Sequence, residues 1–177
     1  MTEVRAASPP DRVLLVGMMG AGKTTVGHAL SRVLGWPYFD NDELVARAVG
    51  KDTRRVQQED GEQALRRAES AALNVALTEG GPLIAGVAGG VVTDPLDLVR
   101  LRSGPFVVWL RADITTLAAR VAGTDRPWLV GTPEAAMRRL YAGREALYAA
   151  AADLVIDVGE TTPELMALRI ATELARR

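Results

Sequence analysis

Short runs of consecutive apolar residues alternate along the chain with longer stretches whose apolar positions recur at helical spacing. VLLV at 13–16, LIAGV at 83–87, FVVWL at 106–110 and LVI at 154–156 read as strands buried on both faces, and the shorter YF at 38–39 as a fifth. Between them the pattern predicts helices over 23–34, 43–49, 62–78, 94–101, 114–121, 133–152 and 163–175, with Gly35 in the usual place to stop the first. Strands that alternate with helices predict an α/β fold with a mostly parallel sheet. One segment breaks the pattern. AGTDRPWLVGT at 122–132 carries two glycines and a proline, and reads as a mobile loop.

Composition narrows what such a fold could do. The chain has 177 residues, 48% hydrophobic, with 21 basic against 22 acidic side chains. That balance argues against nucleic acid and anionic membranes as partners, both of which would want a basic excess. The absence of cysteine excludes thiolate metal sites, disulfides and thiol nucleophiles, and a single histidine, His28, excludes multi-histidine sites. No apolar run approaches the roughly 20 residues of a membrane span. Residues 1–11 lack the apolar core of a signal peptide and read as a disordered tail ahead of one domain over 12–177. The expectation is a cytoplasmic monomer acting on a small molecule.

Gly17-Met18-Met19-Gly20-Ala21-Gly22-Lys23-Thr24 fits G-x-x-x-x-G-K-[ST], and it falls where the chemistry needs it, after a strand and at the start of a helix. Such a loop turns backbone N–H groups toward phosphate oxygens at a helix N-terminus. Lys23 would follow the β and γ phosphates, and the Thr24 hydroxyl would meet Mg²⁺. Asp40 and Asp42 follow the second strand, whose carboxyl end shares a crevice with the loop in a parallel sheet. Asp40 suits Mg²⁺, directly or through water. Asp42 suits the hydroxyl of an acceptor, although it could instead merely cap the next helix.

GMMGAGKTTVG, FDND, GEQALRRAE, the pair Gly89-Gly90, RPWL and GREALYAAAAD occur in that order from Val13 onward. Together they resemble the shikimate kinase family. The resemblance implies a three-layer α/β/α P-loop kinase with a mostly parallel five-stranded sheet and a mobile lid at about 122–132. It also implies transfer of the γ-phosphate of ATP, with Mg²⁺, to the 3-hydroxyl of shikimate. On this resemblance the residues from Gly17 through Thr25, with Arg120, Arg126 and Pro163, hold the nucleotide, and Thr24 and Asp40 hold the metal. Asp42, Arg66, Gly89, Gly90 and Arg144 hold the acceptor. Lys23, Asp42 and Arg126 carry the chemistry, Arg126 as the lid arginine beside Pro127. Planar guanidinium groups suit a carboxylate acceptor because they offer paired donors.

The chain departs from the family pattern at Ala46, where an acidic residue is usual, at Gln57 and Leu65, where aromatics are usual, at Ala88 in place of a glycine, and at Trp128 in the lid. Arg67, Arg138 and Arg139 read as solvated helix faces, His28 as exposed, and Glu62 and Glu69 as surface groups or as orienters of Arg66. A kinase for another hydroxy acid such as gluconate, or a nucleotide-binding module without transfer, are the competing readings.

Overall fold

The computed structural model describes residues 10–122, 132–159 and 161–177. Residues 1–9 of the expected tail and 123–131 of the expected lid, Arg126 and Trp128 among them, lie outside the described residues.

Five strands form one sheet: β1 (Arg12–Val16), β2 (Tyr38–Phe39), β3 (Leu83–Gly86), β4 (Phe106–Arg111) and β5 (Leu154–Asp157). Their order is β2-β3-β1-β4-β5 and every pairing is parallel. β1 is central, with Leu14 opposite Ala85 on one side and Val107 on the other. Helices cover both sides of the sheet, so Val13 to Val16 are wholly buried and the run needs no alternation of polar and apolar residues. Connections between parallel strands must cross a face of the sheet, and helices make those crossings.

α1 (Lys23–Leu34) buries Val26, Ala29 and Leu30 and packs on α9 (Pro163–Leu174). Gly35 ends it in the left-handed conformation, donating to the Ser31 carbonyl. α2 (Asn41–Val49) packs on α4 (Gly61–Thr78), and α5 (Pro95–Leu101) follows β3. α6 (Ile114–Val121), α7 (Pro133–Ala142) and α8 (Glu145–Ala151) lie between β4 and β5.

Three elements differ from the pattern-based expectation. α2 begins two residues early because Asp40, and not Asp42, caps it: the Asp40 Oδ1 accepts from the Glu43 N–H at 2.9 Å. Residues 53–60 are helical, as α3 (Thr53–Arg55) running into one π turn over Val56–Asp60. In TRRVQQED only Val56 is apolar, so periodicity carried no signal there; Asp52 supplies the start by accepting from the Arg55 N–H. The single helix expected over 133–152 is two helices. α7 buries Ala136 and Met137 and packs on α6, whereas α8 buries Tyr148 and Ala151 and packs on β4. One straight axis could not serve both, and the break falls at Gly143-Arg144. No described helix is long and apolar enough to cross a membrane.

Candidate active site

The carboxyl ends of the parallel strands open on a crevice of about 880 Å³, large enough for a nucleotide and a small acceptor together. At its centre lies the turn from Gly17 to Gly22. Gly17 has φ of +141°, and a Cβ there would come 2.6 Å from the Leu110 carbonyl oxygen, so only glycine lets the chain leave β1 pressed against β4. The Lys23 Nζ spans the turn from within, donating to the carbonyls of Gly17 at 2.9 Å and Met18 at 3.2 Å. Gly22 precedes α1 with no side-chain cap, which leaves the first N–H groups of that helix available to an anion.

Met19, Gly20, Ala21, Gly22, Lys23, Thr24 and Thr25 line the crevice, but Gly17 and Met18 are buried beneath the loop and do not. The Met18 side chain turns into the core, where its sulfur meets the Tyr148 hydroxyl at 3.6 Å and the Arg144 guanidinium at 4.0 Å. Toward one end, Arg120 of α6 and Pro163, the first residue of α9, face the crevice together with Thr161. Arg120 donates to the Gly20 carbonyl at 2.9 Å and so ties α6 to the phosphate loop.

Asp42 lines the opposite end and Asp40 does not. Asp40 spends one oxygen on its cap, while the Asp42 Oδ1 accepts from the Thr53 hydroxyl at 2.6 Å. Thr53 went unnoticed in the sequence because its segment showed no period. Among the described residues no group of three or more His, Cys, Asp or Glu converges as a metal cage. A Mg²⁺ ion carried by phosphates needs only one or two protein ligands besides water, and Thr24 with a neighbouring carboxylate fits that demand.

Arg66 of α4 reaches the same end, with Glu69 at 2.8 Å and Glu62 at 3.5 Å, and its guanidinium lies against Gly90, where a Cβ would sit 2.5 Å from Nη1. The Glu69 side chain is only 11% exposed, against 43% for Arg66. Burial raises the Glu69 pKa above its ordinary 4.5, Arg66 and Arg144 oppose that shift, and Asp42 adds to it, so all four charges share one field. Glu69 is thus a buried partner of Arg66, while Glu62 stays on the surface.

Arg144 opens α8 and lines the crevice beside Gly89 and Gly90. Beneath it the Tyr148 hydroxyl, fully buried, donates to the Gly89 carbonyl at 2.6 Å, and its ring stacks on Trp109 at 5.7 Å. Burial pushes the Tyr148 pKa up to about 12. The tyrosine therefore stays a donor and joins the glycine turn, Arg144 and the phosphate loop. Its signal in the sequence was the LY pair of GREALY, a buried tyrosine being one that needs a partner for its hydroxyl.

Gln57, Leu65 and Ala88, the departures noted in the sequence, also line the crevice. Of the arginines read as solvated, Arg138 pairs with Glu134 at 2.9 Å, and Arg67 and Arg139 lie on exposed positions. His28 is exposed, its ring edge-on to Tyr38 at 4.8 Å.

A family model described as shikimate kinase matches residues 19–175. The chain is 38% identical over 174 residues to a shikimate kinase of Ruegeria pomeroyi, covering 97% of this chain and 89% of that protein. It is 39% identical over 167 residues to one of Cereibacter sphaeroides, covering 93% and 83%. The solved shikimate kinase of Acinetobacter baumannii in complex with shikimate superposes with a TM-score of 0.86 at 30% identity, covering 96% of this chain and 94% of that one. With its phosphate loop, glycine turn and paired arginines set around one crevice, the chain belongs to the shikimate kinase family.

Proposed function

We propose that the protein transfers the γ-phosphate of ATP to the 3-hydroxyl of shikimate. The observation that carries this reading is the meeting of two guanidinium groups, Arg66 and Arg144, with the Asp42 carboxylate at the end of a crevice whose centre is a phosphate loop. Two planar cations suit the carboxylate of an anionic polyol, and a carboxylate beside them suits its hydroxyls.

In this reading the uncapped start of α1 and Lys23 cradle the phosphates, while Arg120 and Pro163 flank the adenine. Asp42, held by Thr53, orients the attacking hydroxyl and takes its proton. Gly89 and Gly90 offer backbone amides to the acceptor, and Tyr148 holds their turn in place. A Mg²⁺ ion on the phosphates, held by Thr24 and, through water, by Asp40 set back from the crevice, would neutralise charge that develops during transfer. Arg126 and the lid enter on the sequence alone, as do a monomeric state and a cytoplasmic location. The family match favours shikimate over gluconate, and the retained acceptor groups favour an enzyme over a binding module.

A coupled assay of ADP release over a panel of hydroxy acids tests this. Shikimate is expected to be the preferred acceptor. Each charge-assisted contact contributes roughly 1.5–3 kcal/mol, so Arg66→Ala or Arg144→Ala should raise the shikimate KM about ten- to a hundredfold with the ATP KM little changed. Faster turnover with a carboxylate-free polyol than with shikimate would reject the acceptor.

Glu69 makes the acceptor site sensitive to acid. Its raised pKa means that on acidification the folded protein takes up this proton before the unfolded chain does. Stability from this group is therefore largest at low pH and declines as pH rises through the window that starts near 4.5. Binding runs the other way, because protonation removes the charge that holds Arg66. The shikimate KM is expected to rise as acidification protonates Glu69, at a pH above the ordinary carboxylate range, and Glu69→Gln should flatten that limb. Parallel KM profiles for the two proteins would show that Glu69 does not position Arg66.

A further inference from the structure

Tyr38 packs between β3 and α1, the helix that opens with Lys23 and Thr24. Its ring fills a slot made by two glycines: a Cβ on Gly27 of α1 would overlap ring atoms Cε2 and Cδ2, and one on Gly86, at the end of β3, would sit 2.5 Å from the hydroxyl oxygen. The same Gly86 position is 3.6 Å from the Lys23 Cβ, so the hydroxyl and the root of the loop lysine border one point at the end of β3. That oxygen is buried and closes no hydrogen bond of normal geometry among the described residues. Burial pushes its pKa up to about 12; the nearby Thr24 side chain lowers it somewhat and the Asp40 charge raises it.

A buried hydroxyl without a partner is expensive, and phenylalanine would fill the slot as well. Thr24, assigned above to the Mg²⁺ ion, stands one helical turn before Gly27 on the same face of α1, the face that covers the Tyr38 ring. A threonine hydroxyl that gives a lone pair to a cation keeps its proton and needs an acceptor for it. Asp40 has already given one oxygen to the cap of α2.

We propose that Tyr38 is a positioning residue for the nucleotide's metal ion, its hydroxyl accepting the Thr24 proton so that Thr24 presents its lone pair to the cation. The proposal rests on the reading of Thr24 as a metal ligand. Tyr38 touches neither phosphate nor acceptor; it acts through Thr24.

The test is calorimetric binding of ADP to wild type and Tyr38→Phe, with Mg²⁺ and with EDTA, together with thermal unfolding of both proteins without nucleotide. Wild type should bind ADP more tightly with Mg²⁺. Tyr38→Phe should lose about three- to tenfold in affinity with Mg²⁺, the worth of one hydrogen bond, and stay within about twofold of wild type in EDTA. Its unfolding temperature should be equal or higher, because an unpaired hydroxyl has been removed. In a Thr24→Val background the Tyr38→Phe effect should vanish. Equal losses in both media, full retention of the Mg²⁺ effect, a lower unfolding temperature or persistence of the effect without the Thr24 hydroxyl would each overturn the proposal. If wild type binds ADP equally in both media, the metal assignment of Thr24 fails and this inference with it.

Discussion

Lys23→Ala is expected to lower kcat by about a hundredfold or more, roughly 2.7–4 kcal/mol of transition-state stabilisation, while the protein remains folded. The ammonium sits inside the phosphate turn, donating to the carbonyls of Gly17 and Met18. Those bonds hold it where charge would accumulate on the transferring group, so its removal bears on the transition state more than on the bound substrate. The cost to folding is small by comparison, about 1 kcal/mol, because the turn keeps its other supports: the glycine conformations, the Ala21 to Met18 backbone bond at 3.1 Å and the Arg120 bond to Gly20. Single-turnover kinetics with thermal unfolding separates the two effects. An alanine variant that keeps near wild-type turnover would end the phosphoryl-transfer reading, whichever acceptor is used.

Asp42→Asn preserves size and removes the charge, and should lower kcat by about 10²–10⁴ with the nucleotide KM nearly unchanged. The carboxylate is aimed by Thr53 from a different element, so the amide can keep that contact while losing its ability to take a proton. The stability effect should be slight: Asp40, not Asp42, caps α2, so no helix start is lost. A variant that loses kcat and stability together would mean that the carboxylate serves the fold. Loss in the nucleotide KM alone would move Asp42 to the phosphate side.

The strands, the phosphate loop and most helices were legible because their determinants are local. VLLV, FVVWL and the Gly-rich turn before Lys23 specify strand, strand and anion cradle by residue type and spacing alone. The order of acceptor groups was readable only through resemblance, since nothing in the period of α4 distinguishes Arg66 from Arg67. Tertiary structure made that distinction: Arg66 lies against Gly90 and pairs with the buried Glu69, while Arg67 stays on an exposed position of the helix.

What the chain by itself determined is thus the α/β class and the position of the phosphate loop after the first strand. What only the packed structure decided is which of two aspartates caps a helix, where the helix over 133–152 breaks, and which tyrosine hydroxyls are buried next to the glycine turn and α1. Capping depends on the dihedral angles at which a chain enters a helix, and the break at Gly143 on two faces that must pack on different partners. The roles of Tyr148 and Tyr38 depend on residues distant in sequence, Gly89 for the first and Gly27 with Gly86 for the second, that are brought together only when the sheet and its helices close. Local propensity acts over a turn or two of chain. The contacts of Tyr148 with Gly89 and of Tyr38 with Gly86 span tens of residues, and only the long-range packing that excludes water brings them together.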